Sequence, residues 1–348
     1  MSKPPQLADR FEVAASLGAS LLAMARDRDI DIDIDSIARS MGLSTSSFND
    51  FSTRISLDRL CRLFESLAII SGDPAFGLKA ADHLEPGSTG IYGYGMLSAP
   101  TLAESLSFAV RHHRLLMETQ HCAIVVKGEI ARLEWSLPAL IVRHDQFTDY
   151  FAALFAARYR GLLGLNLRAA RFLLQRPPPA ALGLYRRKLA TNLRFGEPMN
   201  AIEFPASLMA TPNPKADARL HRLMEEQCNK QAELKVENDD LQTRIRLFLL
   251  QNLSAGEPTL EHVARHMGMS ERTLQRRLAE AGTSHNDLID QTRCEWARRL
   301  LRDSERSISD IGYELGFSQP SAFTRSTRRW FGRSPSELRR ELRSSSRH

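Results

Sequence analysis

Apolar positions recur along the chain with two periods, and the change from one to the other marks its parts. Residues 56–70 place Leu57, Leu60, Leu63, Phe64 and Leu67 at helical spacing behind Ser56, a capping serine. Residues 7–25 carry a second amphipathic helical pattern. A third spans 101–118, where Thr101 and Glu104 have the spacing of a capping box. Its adjacent His112 and His113 cannot share one helical face, so at most one looks inward, as a hydrogen-bonded core residue rather than a ligand. Residues 146–163 stack Phe147, Phe151, Leu154, Phe155 and Tyr159 in an aromatic stripe, which reads as core or, alternatively, as core that also lines a ligand cavity. β-Branched residues over 122–135, broken by Lys-Gly-Glu, predict a hairpin, and 167–174 and 201–204 read as further strands. GIYGYG at 90–95 lacks dinucleotide-loop spacing and follows no strand, so it reads as a close-packed turn or short strand. Pro177, Pro178 and Pro179 break the chain before a helix at 180–189. Helices with few strands make residues 1–214 an α+β domain. A polar helix at 217–235 follows, within a linker at 215–235; Leu220, Leu223, Met224 and Leu234 are too irregular for a heptad.

From 236 onward the strand pattern disappears, and residues 236–348 read as an all-α domain. In 307–343 Ser307 caps a helix whose stripe is Ile308, Ile311 and Leu315. Gly312 sits inside that helix, where it costs stability unless something packs closely on it. Gly316 ends the helix, Phe317 fills the corner, and Ser318 with Pro320 opens a second helix. That helix turns Phe323, Trp330 and Phe331 to one side and Ser321, Thr324, Arg325 and Arg328 to another, the form of a helix-turn-helix with its recognition helix. The pattern occurs twice. Leu260, Val263 and Met267 precede Ile308, Ile311 and Leu315 by 48 positions; Ala264 stands for Gly312, and Gly268, Met269 and Ser270 for Gly316, Phe317 and Ser318. In the second helices the offset is 49, aligning Leu274, Gln275 and Arg276 with Phe323, Thr324 and Arg325. Residues 285–303 join the units as one long amphipathic helix. A single helical hairpin is weak evidence; two in register are strong.

Net charge is +6, and from Pro320 onward eight Arg face two Glu, with no Lys anywhere after Lys235. Arginine suits bidentate contacts to phosphate and guanine, so the partner is double-stranded DNA. Arg272, Gln275 and Arg276 lie at i, i+3 and i+4 and face base edges together; Thr273 borders them, and Arg277 is placed for phosphate. Ser321, Thr324 and Arg325 take the corresponding places in the second unit, with Arg328 at the rim. For each residue the alternative is a phosphate contact, which fixes register without reading sequence.

Cys61, Cys122, Cys228 and Cys294 lack metal-ligand spacing and are expected as free or buried thiols in the cytoplasm. The acidic run at 27–36, with Asp31, Asp33 and Asp35, has Ser36 and Gly42 where a calcium loop needs Gly and Glu; an acidic loop or short edge strand is expected. Glu261, His262 and His266 lack zinc-protease spacing, and no nucleophile elbow or phosphate loop occurs. No enzyme, metal or cofactor is indicated, and no apolar run approaches the ~20 residues of a membrane span.

Residues 236–348 resemble the DNA-binding domain of the AraC/XylS family of bacterial transcription regulators, most closely through the second unit and its terminal WFGRSP. The resemblance implies two recognition helices in successive major grooves, with Arg276 and Arg325 at the commonly base-contacting places. Two positions depart from the pattern: Thr327 stands where a large aromatic is usual and Leu338 where Tyr is frequent. Both bear on packing, not on the base-reading face. The segments GYGMLSAPTLAESL, HDQFTDYFAALFAARYRGLLG and FGEPMNAIEFPASLMATPNP are similar to the effector domain of a branch that regulates amino-acid catabolism. That likeness implies a sensing or dimerisation domain, a small-molecule effector whose contact residues it does not name, a homodimer, and RNA polymerase as a partner of an activator. The alternative is control by a protein partner or by dimerisation alone.

Overall fold

The computed structural model describes residues 7–27, 32–85, 87–164, 167–180, 182–236 and 240–344. The chain divides into two compact units, residues 1–137 with 143–236, and residues 138–142 with 237–348.

The first unit is α+β. Strands β1 (Glu12–Ala14) and β2 (Arg54–Ser56) form a small antiparallel ribbon. The main sheet contains β3 (His121–Lys127), β4 (Ile130–Ser136), β5 (Arg171–Leu174), β6 (Asn192–Phe195) and β7 (Asn200–Pro205), in the order β3-β4-β7-β5-β6. Among the described residues, β5 and β6 pair in parallel and the other neighbours in this sheet are antiparallel. The hairpin expected at 122–135 is β3–β4, with Gly128 at positive φ in its turn. Along β4 the pleat buries Ala131, Leu133 and Trp135, while Arg132 and Glu134 point away and pair with each other. Helices Leu57–Ile70 and Asp145–Leu163 pack together through Phe64, Phe147 and Tyr150. Burial of these rings stabilises the pair.

Several expectations change. Residues 7–25 are not one helix: a 3-10 turn, β1 and a second 3-10 turn precede the helix Ala19–Asp27. Pairing of Val13 with Ile55 overrides the helical period there. GIYGYG is neither turn nor strand but opens the helix Gly90–Ser98. Its glycines serve contact: a Cβ on Gly95 would lie 2.1 Å from the Phe108 ring, so the ring occupies the glycine's missing side chain. The helix expected over 101–118 breaks at His112 into Leu102–Arg111 and His113–Leu116. That break lets both histidines face inward, His112 buried against Phe108 and His113 half-buried in a cavity wall. Strand expectation at 167–174 shortens to β5 behind a 3-10 turn at Leu167–Ala169. In the acidic run, Asp33 caps the helix Ile34–Ser40 and Asp35 lies in its first turn, so neither an acidic loop nor a strand forms at 34–36; Asp31 lies outside the described residues. Among the described residues no cluster of His, Cys, Asp and Glu could hold a metal. Nor is any helix long and apolar enough to cross a membrane.

The second unit is all helical: Leu241–Asn252, Leu260–His266, Glu271–Glu280, His285–Asp303, Ile308–Glu314, Pro320–Phe331 and Pro335–Ser344. Its core is built by Val263, Leu274, Trp296, Leu300, Ile311, Leu315 and Phe323, all buried.

Candidate DNA-binding interface and a cavity in the first unit

The two helix-turn-helix motifs close by the same hydrogen bonds. In the first, Gly268 N–H donates to Arg265 and Met269 N–H to the Ala264 carbonyl; in the second, Gly316 N–H donates to Tyr313 and Phe317 N–H to Gly312. Gly268 and Gly316 both hold positive φ, 70° and 77°, the left-handed close that glycine adopts without strain. Where the helices cross, a Cβ on Gly312 would lie 3.3 Å from Phe323 Cβ, and buried Ala264 fills the same place in the first motif. Ser270 caps the first recognition helix through Thr273 N–H. The second is capped differently from expectation: its N-cap is Gln319, without a side-chain bond, and Ser318 does not cap. Pro320 at the start leaves one fewer N–H in need of a partner.

Arg272, Gln275, Arg276 and Arg277 are exposed along one recognition helix, above buried Leu274 and Leu278. Among the described residues Arg276 holds a long pair with Glu280, at 3.9 Å and largely exposed, which leaves it available to a polyanion. Ser321, Arg325 and Arg328 are exposed on the other helix, above buried Phe323, Ser326 and Thr327. The two threonines are already engaged. Thr273 Oγ1 lies 2.9 Å from Ser270 Oγ, and Thr324 Oγ1 donates to the Pro320 carbonyl at 3.1 Å. Trp330 donates its indole N–H to Asp290 at 2.8 Å, and Arg329 pairs with the same carboxylate, pinning the second recognition helix to the long helix His285–Asp303. Thr327, a departure from the family pattern, is buried and bonded to the Phe323 carbonyl at 2.9 Å, so it leaves no loose polar group. Leu338, the second departure from the family pattern, is buried on the last helix, which Ser334 and Glu337 cap reciprocally.

Sequence reasoning also missed Arg293. It reaches from the long helix to the closing turn of the second motif, donating to Leu315 and Gly316 carbonyls, and its third contact is Glu257 at 2.9 Å. The signal was an arginine on the apolar side of an amphipathic helix, a place that demands a partner.

The first unit holds a cavity of about 70 Å³ between the inner face of β4 and the helices Gly90–Ser98, Leu102–Arg111 and Asp145–Leu163. Of the predicted aromatic stripe, Phe151, Leu154, Phe155 and Tyr159 line it, whereas Phe147 belongs to the core beside Phe64. Its wall helix Gly90–Ser98 contributes Tyr92 and Met96. The same helix is held by the segment leading out of the unit: Asn213 donates to the Leu97 and Ala99 carbonyls at 2.8 and 2.7 Å, and the His221 Nδ1–H donates to Gly95 O at 2.8 Å.

A paired helix-turn-helix with two arginine-bearing helices, joined in one chain to an α+β unit with a cavity, defines a DNA-binding regulator with a separate second unit. The arabinose-binding domain of AraC transcription regulators matches residues 32–213, and a helix-turn-helix domain model matches residues 263–341. The chain belongs to the AraC family of transcription regulators, a family of non-enzymatic proteins. It is 28% identical to the ornithine utilization regulator of Pseudomonas aeruginosa over 289 residues, 82% of this chain and 84% of that one. It is likewise 28% identical to the regulator VirS of Mycobacterium tuberculosis over 291 residues, with the same coverage, 82% and 84%. The crystal structure of the transcriptional regulator CdpR from Pseudomonas aeruginosa is similar over 89% of this chain and 99% of that one, at 20% identity and a TM-score of 0.41.

Proposed function

We propose that this DNA-binding regulator is a transcription activator in which a small metabolite bound in the first unit controls dimerisation or DNA binding, with RNA polymerase as its partner at the promoter. The observation that carries the DNA half is the repeated motif with Arg272, Gln275 and Arg276 exposed on one recognition helix and Ser321, Arg325 and Arg328 on the other. On this reading Arg276 and Arg325 bond guanine edges, Gln275 bonds adenine, and Arg277 and Arg328 hold phosphates. Thr324 contributes a methyl contact and acceptor lone pairs, because its hydroxyl hydrogen goes to the Pro320 carbonyl, and Thr273 contributes a methyl contact beside the Ser270 hydroxyl.

The sensing half is supported by the cavity and by its wall helix, which is tied to Asn213 and His221 at the start of the linker. A ligand that displaces Tyr92 or Met96 moves a helix that the linker grips by its carbonyls. Such a ligand acts only through different affinities for two states. Kinship with a regulator named for ornithine utilization supports metabolite control as the reading.

Fluorescence anisotropy with DNA from upstream of the protein's own gene tests the reading, with Arg276→Ala and Arg325→Ala alongside and a random duplex as competitor. Tight, competitor-resistant binding that both substitutions abolish is the expected result. Equal, salt-sensitive binding to every duplex, unchanged by extracts of the cell's metabolites, overturns it.

A further inference from the structure

The cavity's polar groups say what kind of molecule it takes. Thr89 stands at the N-cap of the helix Gly90–Ser98, where a threonine hydroxyl ordinarily accepts a backbone N–H, yet it makes no cap bond. The residue is 8% exposed and its Oγ1 is buried without a hydrogen-bond partner in the cavity wall. Thr119 Oγ1, in the same wall, is also buried and unpartnered. Arg158 lines the cavity with no ion pair among the described residues; its Nη1 lies 3.9 Å from Met96 Sδ. His113 donates Nδ1–H to the Val110 carbonyl at 2.7 Å, and burial lowers its pKa, so the ring is neutral and Nε2 is an acceptor. The cavity tyrosines are already satisfied, Tyr92 by Ala109 O and Tyr159 by Ser105. Buried polar groups without partners are rare in folded proteins, and two at one cavity with an unpaired guanidinium mark a site built for a ligand.

The remaining wall is apolar, with Leu106, Leu133, Trp135, Phe151 and Phe155 prominent, and no Asp or Glu lines it. A free amino acid would leave its ammonium group without a counter-charge. A sugar would bury more hydroxyls than these four groups can satisfy. A phosphate ester or dicarboxylate would carry a second negative charge against one arginine. We infer that the cavity binds an amphipathic monocarboxylic acid, its aliphatic or aryl body among the aromatic side chains and its carboxylate held by Arg158 with help from threonine hydroxyls. This assignment rests on reading the first unit as the sensor, and names the chemical class it senses.

Calorimetric titration of the full chain with octanoate, 3-phenylpropionate and the neutral octanamide tests it. Fluorescence of Trp135 supplies a second readout, since Trp296 and Trp330 lie in the other unit. Saturable binding of at least one acid, about tenfold tighter for octanoate than for octanamide where octanoate is that acid, is expected from one charge-assisted contact. Arg158→Met should erase the preference for the acid while leaving the amide's affinity unchanged. Ala109→Phe, which fills the cavity, should abolish both, and Thr89→Val should weaken the acid by a few-fold. Equal affinity for octanoate and octanamide, a preference that survives Arg158→Met, affinity unaffected by Ala109→Phe, or no binding of either acid overturns the assignment. Anisotropy on the same samples separates the two readings. Acid binding that leaves DNA affinity, oligomeric state and promoter output unchanged supports the site and defeats the sensor role, whereas DNA binding altered only by other metabolites defeats the site alone.

Discussion

Arg293 donates its Nε–H to the Leu315 carbonyl at 2.8 Å, joining the long helix of the DNA-binding unit to the last turn of the second motif's first helix. The guanidinium also reaches Gly316 O at 3.1 Å and lies over the Phe317 ring, 4.7 Å from its centroid. One side chain thus holds the corner from which the second recognition helix departs. A cation suits this place, because the carbonyls at a helix C-terminus carry its negative end. Lysine cannot reproduce the fork. Arg293→Lys should destabilise the unit by about 2 kcal/mol and Arg293→Met by more, measured by urea unfolding followed through Trp296 and Trp330. A change below a few tenths would show that the contact is incidental.

The two turn glycines should behave differently. Both hold positive φ, but a Cβ on Gly316 would lie 2.2 Å from the Leu253 carbonyl oxygen, whereas one on Gly268 meets nothing within 4 Å. Gly268→Ala should therefore cost only the left-handed strain, about 1–2 kcal/mol. Gly316→Ala adds a clash with backbone, and should unfold or displace the second motif at temperatures where Gly268→Ala remains folded. Comparative thermal melts decide this.

For DNA, losing a bidentate base contact at Arg276 or Arg325 should cost about 1–3 kcal/mol and relax preference at one base pair. Alanine at Arg277 or Arg328 should instead weaken all sequences alike and lower the slope of log K against log salt by about 1. Saturation of the operator with single-base variants, repeated over a range of salt, distinguishes the two patterns.

Stability of the first unit should fall between pH 4.5 and about 7, the interval over which burial raises the Glu65 pKa. The Glu65 side chain accepts the Gln146 N–H at 2.7 Å at the start of the helix Asp145–Leu163. Its protonated form is the one the folded state favours, so the contribution is present below the ordinary carboxyl pKa and is lost as pH rises through the folded value. Glu65→Gln keeps the acceptor and removes the charge. It should flatten this part of the pH profile and stabilise the protein at pH 8 by on the order of 2 kcal/mol, read from thermal unfolding at both pH values. An unchanged profile would remove Glu65 as the cause.

Much of the DNA-binding unit was legible because its determinants are local. Cap, apolar stripe, turn glycine and the repeat itself are encoded within a few residues of where they act, and Gly268 and Gly316 adopt the conformation their position implies. The exposure of Arg276 and Arg325 follows from the burial of Leu274 and Phe323 at helical spacing. Tertiary structure decided what depends on partners distant in sequence. Gly95 of GIYGYG lies in a helix where the Phe108 ring fills the place of its missing side chain and His221 bonds its carbonyl. His112 and His113 both turned inward because the chain broke between two short helices, which no periodic pattern announces. Arg293 found carbonyls more than twenty residues away, and Thr89 makes no cap bond and faces a cavity assembled from segments distant in sequence. Local propensity cannot encode such pairings, because the free energy that selects them comes from packing and desolvation that exist only once the distant segments have met.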